Sequence, residues 1–507
     1  MSLARKIASA ATMLRRKGWG ETADLTRLRA AELYRAHRRV STDPVLVARM
    51  VSAVLNRRSF VSSIALLPEQ MVGVRATVLR SYIRHRFAEA AVQAQAGDEL
   101  HPVEVVIRAD CLLSTWDFRA IAAAMPAWRA IVAGTAFAQR IDQTGRRAAL
   151  RLGQIGEAAR DIDTIGDDIG ALVLRGEVLD AQGCMDQARN AFEAAIRRDG
   201  TDPDARQSYG FHLLKAGRVR DGLASWSVAD TLFGTYPLRR HRPHWSGESL
   251  GGRRLMVLFE HGLGDMIQVA RFLPRLLDRE PGATVMARLP APLLGLFART
   301  FPRVRFVSED EREPDYDVFV PSMQLAAVLD AADLAPRSLY IDLGAPAPRP
   351  PGTRPRVGVC WRGHPRQYEF TRSIPLDLFA QLFAARDVDI VVLLHRPTAE
   401  ETARLASEPN VSAPPIDDFI DLAALVASCD LVISVDTAVV HLAGAGGVPT
   451  LLMSRPDACW RWGAEGSSGP WYDSVEVLRH DGDMDWPRLL DEAGRRIAAL
   501  ARAPVAA

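Results

Sequence analysis

One stretch, LVISVDTAVVHLAGAGGVPTLLM (Leu431–Met453), limits what this chain can fold into more than any other. Leu431 to Val435 is apolar on both faces, Ser434 aside. Such a run suits a strand covered on both faces, which is the habit of parallel sheets with helices on either side. Asp436 or Thr437 is placed to cap a following helix, since a short side-chain oxygen accepts from the orphan N–H groups of a first turn. That helix, Ala438 to about Gly446, carries Ala438, Ala443, Gly444 and Ala445, small enough to lie close against a sheet. Gly446-Gly447 ends it and Pro449 blocks its continuation. A helix N-terminus at the carboxyl end of a parallel strand is where α/β proteins hold phosphates. His441 follows Thr437 by four residues on the same face, with its ring leaning toward that N-terminus. The plain alternative is an ordinary strand-turn-helix with a packed histidine, and spacing alone leaves both open.

The rest of the chain divides into four parts. Residues 1–130 show apolar residues at three- and four-residue intervals, as in ATVLRSYIRHRFAEAAVQAQ, the period of helices. Residues 131–236 carry a repeat. Gly176, Leu179, Gly183 and Phe192 recur 34 residues later as Gly210, Leu213, Gly217 and Trp226, which is the period of tetratricopeptide helix pairs. Stacked pairs of this kind form a solenoid with a peptide-binding groove, or else a structural stalk. After the Pro/Gly/Ser-rich stretch that begins at Tyr236, residues 237–345 turn to alternating strands and helices: RLMVLFE, the glycine turn HGLGD, helix MIQVARFLPRLLDR, then strands TVMARL, VRFVS and YDVFVP. The proline-rich Gly344–Arg356 reads as a stiff linker. Residues 346–507 hold a second α/β series that ends in the periodic helix WPRLLDEAGRRIAALARA. The fold class expected is therefore α plus α/β, a helical solenoid followed by two Rossmann-like domains with a cleft between them.

Composition removes several function classes. At 507 residues and 48% hydrophobic, the chain has ample material for several cores. A net charge of +2 with 24% charged residues indicates no nucleic-acid surface. Lys6, Lys17 and Lys215 are the only lysines, so phosphate recognition falls to arginine, backbone N–H groups or hydroxyls. Five scattered cysteines without CxxC spacing argue against a disulfide framework or a zinc site and fit a reducing cytoplasm. No stretch approaches the roughly 18 uninterrupted apolar residues of a spanning helix.

Chemistry concentrates at strand ends. In Glu260-His261-Gly262-Leu263-Gly264-Asp265, Gly262 and Gly264 permit a tight turn with close backbone approach, and Asp265 opens a helix, where a capping role is the ordinary one. A dinucleotide fingerprint is not completed, because Ile267 stands where its third glycine belongs. Trp361-Arg362-Gly363-His364 ends the first strand of the second domain and falls in the same cleft by topology. Arg372-Ser373-Ile374-Pro375 follows, with Ser373 a candidate cap. Cys459-Trp460-Arg461-Trp462 and Gly469-Pro470-Trp471-Tyr472 bring tryptophans into one loop, for stacking on a base or sugar or for packing against the terminal helix. The pairs Asp161-Asp163, Asp387-Asp389 and Asp481-Asp483 do not stand at strand ends suited to a nucleotide-bound metal.

DTxxxHLAGAxG, GLGDxIxxxxxLP and RSIP together resemble the heptosyltransferase-like glycosyltransferases, and more closely the bacterial proteins that join tetratricopeptide repeats to such a domain. The resemblance spans about residues 169–480. It implies a GT-B architecture and a cytoplasmic, metal-independent, inverting glycosyltransferase that uses a nucleotide-sugar as co-substrate and no cofactor. On it, Asp265 is the catalytic base, and Asp436, Thr437, His441, Arg372, Gly262, Gly264, Trp361 and Gly363 bind the donor, Arg372 at the diphosphate. The repeats imply a protein acceptor, as in O-GlcNAc-transferase-like enzymes and in the enzymes that modify flagellin. Transfer to a lipopolysaccharide-type glycolipid is one alternative. A non-catalytic scaffold is the other, since Arg362, His364 and Cys459 depart from the family pattern.

Overall fold

The computed structural model describes residues 100–232, 242–329, 339–346, 349–350, 352–363 and 369–502. The expected helices of residues 1–99, the boundary near Tyr236 and His364 lie outside them.

Eight helices come first: α1 (Pro102–Ser114), α2 (Phe118–Val132), α3 (Ala138–Arg151), the short α4 (Ile155–Ala159), α5 (Ile169–Ala181), α6 (Met185–Arg198), α7 (Pro203–Lys215) and α8 (Val219–Leu232). The pair α5/α6 recurs as α7/α8 with all four bounds displaced by 34 residues. The local chemistry recurs with it. Asp168 and Asp202 cap the first helix of each pair, accepting from the N–H groups of Ala171 and Ala205 at 3.1 and 2.8 Å. Gly183 and Gly217 follow those helices in the left-handed region, at φ of +78° and +77°, where L side chains are strained. Within each pair a glycine lets the helices touch. A β-carbon on Gly176 would fall 2.5 Å from the Phe192 ring, and one on Gly210 3.0 Å from the Gly222 carbonyl oxygen.

Two parallel sheets follow. The first holds β1 (Arg254–Leu258), β2 (Thr284–Leu289), β3 (Arg305–Ser308) and β4 (Val318–Pro321) in the order β3-β2-β1-β4. The second holds β5 (Arg356–Cys360), β6 (Asp389–Val392), β7 (Val411–Ser412), β8 (Leu431–Val435), β9 (Thr450–Met453) and β10 (Val475–Leu478) in the order β10-β9-β8-β5-β6-β7. Every strand pair is parallel. All five residues of β8 are buried, as a doubly covered strand requires. Strand order reverses between β1 and β4 in one sheet and between β5 and β8 in the other. At such points the outgoing loops diverge to opposite faces and leave a crevice beyond the carboxyl ends of the strands.

The helix expected over MIQVARFLPRLLDR is two helices, α9 (Leu263–Ala270) and α10 (Leu273–Arg279). Pro274 supplies no N–H, and its ring excludes the carbonyl four residues back, so it is tolerated only in the first turn of a new helix. In the second sheet the helix after β8 is α11 (Ala438–Ala445). Tyr340 straps the two halves together: its hydroxyl donates to the Ile267 carbonyl of α9 at 3.1 Å, and its N–H donates to the Ala445 carbonyl of α11 at 3.0 Å. Arg349, in the proline-rich linker, is fixed to Asp430 by two bonds of 2.6 and 2.8 Å.

The helical array does not stand apart from the sheets. Leu214, Leu223 and Trp226 of the last pair belong to the same buried core as Leu255, Val257 and Trp460. Among the described residues no helix is long and apolar enough to cross a membrane, and all five cysteines are free.

Candidate active site

The site begins at the carboxyl end of β8. Thr437 caps α11, its hydroxyl accepting from the Val439 N–H at 3.3 Å and lying 3.2 Å from the Ser434 hydroxyl. Between Asp436 and Thr437, the threonine is the cap. Asp436 is left half-buried at the mouth of the turn.

Facing it is the carboxyl end of β1. The buried Glu260 carboxylate accepts from the N–H groups of Ser322 and Met323 at 3.1 and 3.3 Å, which pins β1 to the segment leaving β4 across the switch point. His261 then adopts φ +71°, a conformation uncommon for any residue but glycine, and turns the chain so that Gly262 opens α9. Asp265 occupies the third helical position, and one carboxylate oxygen accepts from the Gly262 N–H at 2.9 Å. Its other oxygen is held in an ion pair by Arg461, which arrives from the loop after β9. Burial works to raise the Asp265 pKa, but Arg461, then His261 and His441, outweigh it and hold the carboxyl below the usual range. Arg461 is itself positioned by three further contacts. Its Nε donates to Gln268 Oε1 at 3.1 Å, one terminal nitrogen reaches Cys459 Sγ at 3.0 Å, and the guanidinium lies 4.3 Å from the Trp460 ring centroid.

Helices α9 and α11 meet at Gly264, where a β-carbon would lie 3.3 Å from the Ala438 Cα. The His441 imidazole behind it is buried. Its Nδ1 is 2.9 Å from the Tyr472 hydroxyl, and the ring stacks on Trp462 at a centroid distance of 5.2 Å. Its Nε2 lies 4.0 Å from Asp436. Burial pushes the imidazole pKa down to about 4, so the ring is neutral at physiological pH.

The third wall is the end of β5. The Gly363 N–H donates to the Ser373 hydroxyl at 3.3 Å, and the Arg372 guanidinium packs where a Gly363 side chain would be. Ser373 thus fixes this turn rather than capping a helix, and the cap position of the next helix is Pro375. Trp361 departs from its expected place. Its indole is 1% exposed, packs 5.7 Å from Phe379 and donates to Glu401 at 3.0 Å. A strand-end residue alternates between faces, and here that alternation turns Trp361 into the core while Arg362 faces outward. Arg362 makes a bidentate pair with the same Glu401, both bonds 2.7 Å. Burial acts to raise the Glu401 pKa, yet these partners bring it down to about 2.

Asp265, Asp436, Thr437, His441, Arg372, Gly262, Gly264 and Gly363 all line one cavity of about 1890 Å³; Trp361 does not. The array supplies a whole side of it, through Arg140, Arg147, Arg151, Glu177 and Lys215 among others. Arg151 of α3 reaches Asp457 of the loop after β9 at 3.6 Å, and Trp226 of α8 packs 5.1 Å from His261 and 5.9 Å from Trp460. The tryptophans of that loop are packed: Trp460 on Phe211 and Trp226 of the array, Trp462 on His441 of α11, and Trp471 on Trp460. Among the described residues no group of three or more His, Cys, Asp or Glu is placed to hold a metal ion. Sequence reasoning missed Arg461 as a site residue. The signal in the sequence is an arginine flanked by two tryptophans.

Residues 377–483 match glycosyltransferase family 9 (heptosyltransferase). That stretch runs from just after the Arg372 turn to beyond Tyr472 and contains Thr437, His441 and Arg461. Protein FlbA of Caulobacter vibrioides is 29% identical over 338 residues, 58% of this chain and 56% of that protein. Aklavinone 7-beta-L-rhodosaminyltransferase of Streptomyces galilaeus is 33% identical over 141 residues, 25% of this chain and 28% of that enzyme. The chain thus spans little more than half of the first relative and under a third of the second. The E. coli heptosyltransferase WaaC superposes with a TM-score of 0.37 at 12% identity, over 48% of this chain and 99% of its own.

Proposed function

We propose that this chain is an inverting glycosyltransferase of GT-B architecture that takes a sugar from a nucleotide-sugar donor. In this reading its parts are an amino-terminal region (1–130), tetratricopeptide repeats (131–236) and two Rossmann-like domains (237–345 and 346–507). One observation carries the reading: a capped helix N-terminus at one switch point and a carboxylate at the other line the same cavity. The family 9 match over residues 377–483 supports it.

In this reading the donor diphosphate lies at the first turn of α11, where the helix dipole favours an anion. Thr437 holds that turn, and Asp436, Gly363 and Arg372 border it. Asp265 takes the proton from the acceptor hydroxyl. The acceptor oxygen bonds to the anomeric carbon as the bond from that carbon to the diphosphate oxygen breaks, and the nucleoside diphosphate leaves with the electron pair. A single displacement inverts the configuration. The reaction needs no metal where N–H groups and arginine neutralise the leaving group. The acceptor is a protein segment laid along the array, because the array forms one wall of the cavity and a groove of that length suits a polypeptide better than a sugar headgroup. The setting is the cytoplasm, where nucleotide-sugars are made.

The test is a thermal-shift series on the full chain with UDP-, GDP-, ADP- and CMP-sugars. A bound donor at 100 times its dissociation constant adds about 2.7 kcal/mol of stability. One nucleotide class raising the melting temperature is the expected result; none doing so at millimolar concentration overturns the reading.

A further inference from the structure

The Asp265–Arg461 pair sets a problem for the reaction just described, on which the following rests. A general base works best with a pKa near the operating pH. Asp265 is instead tied to a guanidinium and to a backbone N–H, and both lower its basicity. Yet Arg461 lines the same cavity as the first turn of α11, on a loop of the same domain, and its contact with Asp265 crosses from that domain to the other. A diphosphate at Thr437 offers this arginine a stronger partner, since it carries more charge and accepts two bonds from the guanidinium fork. The remaining contacts of Arg461 leave the nitrogen that reaches Asp265 free to change partner. Gln268 holds the Nε, Cys459 Sγ holds the other terminal nitrogen as a weak acceptor, and Trp460 supports the guanidinium face. None of the three binds the nitrogen that reaches Asp265.

We propose that Arg461 is a positioning residue that exchanges Asp265 for the donor diphosphate, so that donor binding is what releases the base. The exchange makes donor binding precede acceptor activation. It also keeps the carboxylate paired, and therefore unreactive toward a hydroxyl, until a sugar is present to receive the attack. The same contact closes the cleft, because its two ends belong to different sheets.

The consequence is competition: Asp265 and the donor contend for one guanidinium. Removing the carboxylate charge should therefore tighten donor binding, and should do so through Arg461. The experiment is a double-mutant cycle on the full chain, with calorimetry of ADP, GDP, UDP and dTDP as probes. Asp265→Asn, which keeps shape and hydrogen bonding, is expected to tighten the best-bound diphosphate by three- to tenfold. Arg461→Gln is expected to weaken it at least tenfold, with Arg461→Lys recovering most of the loss. In the Arg461→Gln background, Asp265→Asn should change affinity by less than twofold. An undiminished tightening in that background means that only the nearby negative charge matters, and it overturns the exchange. So does a diphosphate affinity unchanged by Arg461→Gln, which would leave the arginine a packing residue. Should Arg461→Gln fail to fold, Arg461→Met, which keeps an unbranched side chain and removes the charge, takes its place in the cycle with the same expectations. Absence of any diphosphate binding to the unmodified chain is a different result: it removes the glycosyltransferase reading itself.

Discussion

Gly264 of α9 stands against His441 of α11 so closely that a β-carbon on it would lie 2.5 Å from the imidazole Cδ2. The ring is clamped between Tyr472 and Trp462 and has no room to retreat. Gly264→Ala should therefore push the two helices apart, at about 1–3 kcal/mol, the usual cost of overpacking. Urea unfolding measures the loss. A melting curve indistinguishable from the parent would mean that the two helices are not held in this contact.

Thr437→Val keeps the shape of the side chain and removes the cap of α11. Loss of a cap costs about 1 kcal/mol, and nucleoside diphosphate binding should weaken about tenfold. Calorimetry on the folded variant decides the matter, and unchanged affinity would move the diphosphate away from this helix.

Asp265→Asn should lower sugar transfer at least ~100-fold while donor binding survives, because the amide retains shape but has negligible basicity. Single-turnover kinetics with saturating donor isolate the chemical step. Near-normal turnover would return Asp265 to its capping role.

Acid should weaken the fold before its carboxylates are reached. Burial holds the His441 pKa at about 4 against 6.5 when exposed, and His480 likewise at about 4. Between those values the unfolded chain binds protons that the folded chain refuses, so stability falls as pH drops from about 6.5 toward 4. For His441 alone the loss reaches about 2 kcal/mol by pH 5. Glu401, held near 2, acts lower: its contribution is intact above the ordinary carboxylate range and fades only beneath it. Unfolding free energies at pH 7 and 5 should differ less in His441→Asn than in the parent; an equal difference would refute the assignment.

Trp226→Ala should cost about 3–5 kcal/mol, typical of a large aromatic removed from a core. Trp226 touches Phe211, His261 and Trp460, so the loss falls on the seam between array and sheets. Limited proteolysis should then cut between α8 and β1 faster than in the parent.

What was legible in the sequence follows from how local each cause is. The buried run of β8, its threonine cap and the glycine pair after α11 are neighbours in the chain, and they fold where their spacing says. The 34-residue period is local in the same sense, and it carried the positions of Asp168 and Asp202 with it. Arg461 was opaque because its meaning lies in Asp265, nearly two hundred residues earlier, brought close only when two sheets meet. Trp361 was misread for a related reason: a strand-end residue faces either the core or the cleft, and one side-chain alternation decides which. Short β7 and β10 were not read as strands at all, since two and four residues give too little pattern to distinguish from a turn.

The shared core around Leu214, Leu223 and Trp226 has a mechanical consequence. A repeat array joined through a loose tether would be a swinging arm, delivering whatever it carries to a separate machine. Here the last helix pair is cast into the machine's housing, with Arg151 bolted to Asp457 further out. The wall that the array gives the cavity is therefore held in place by the core of the sheets.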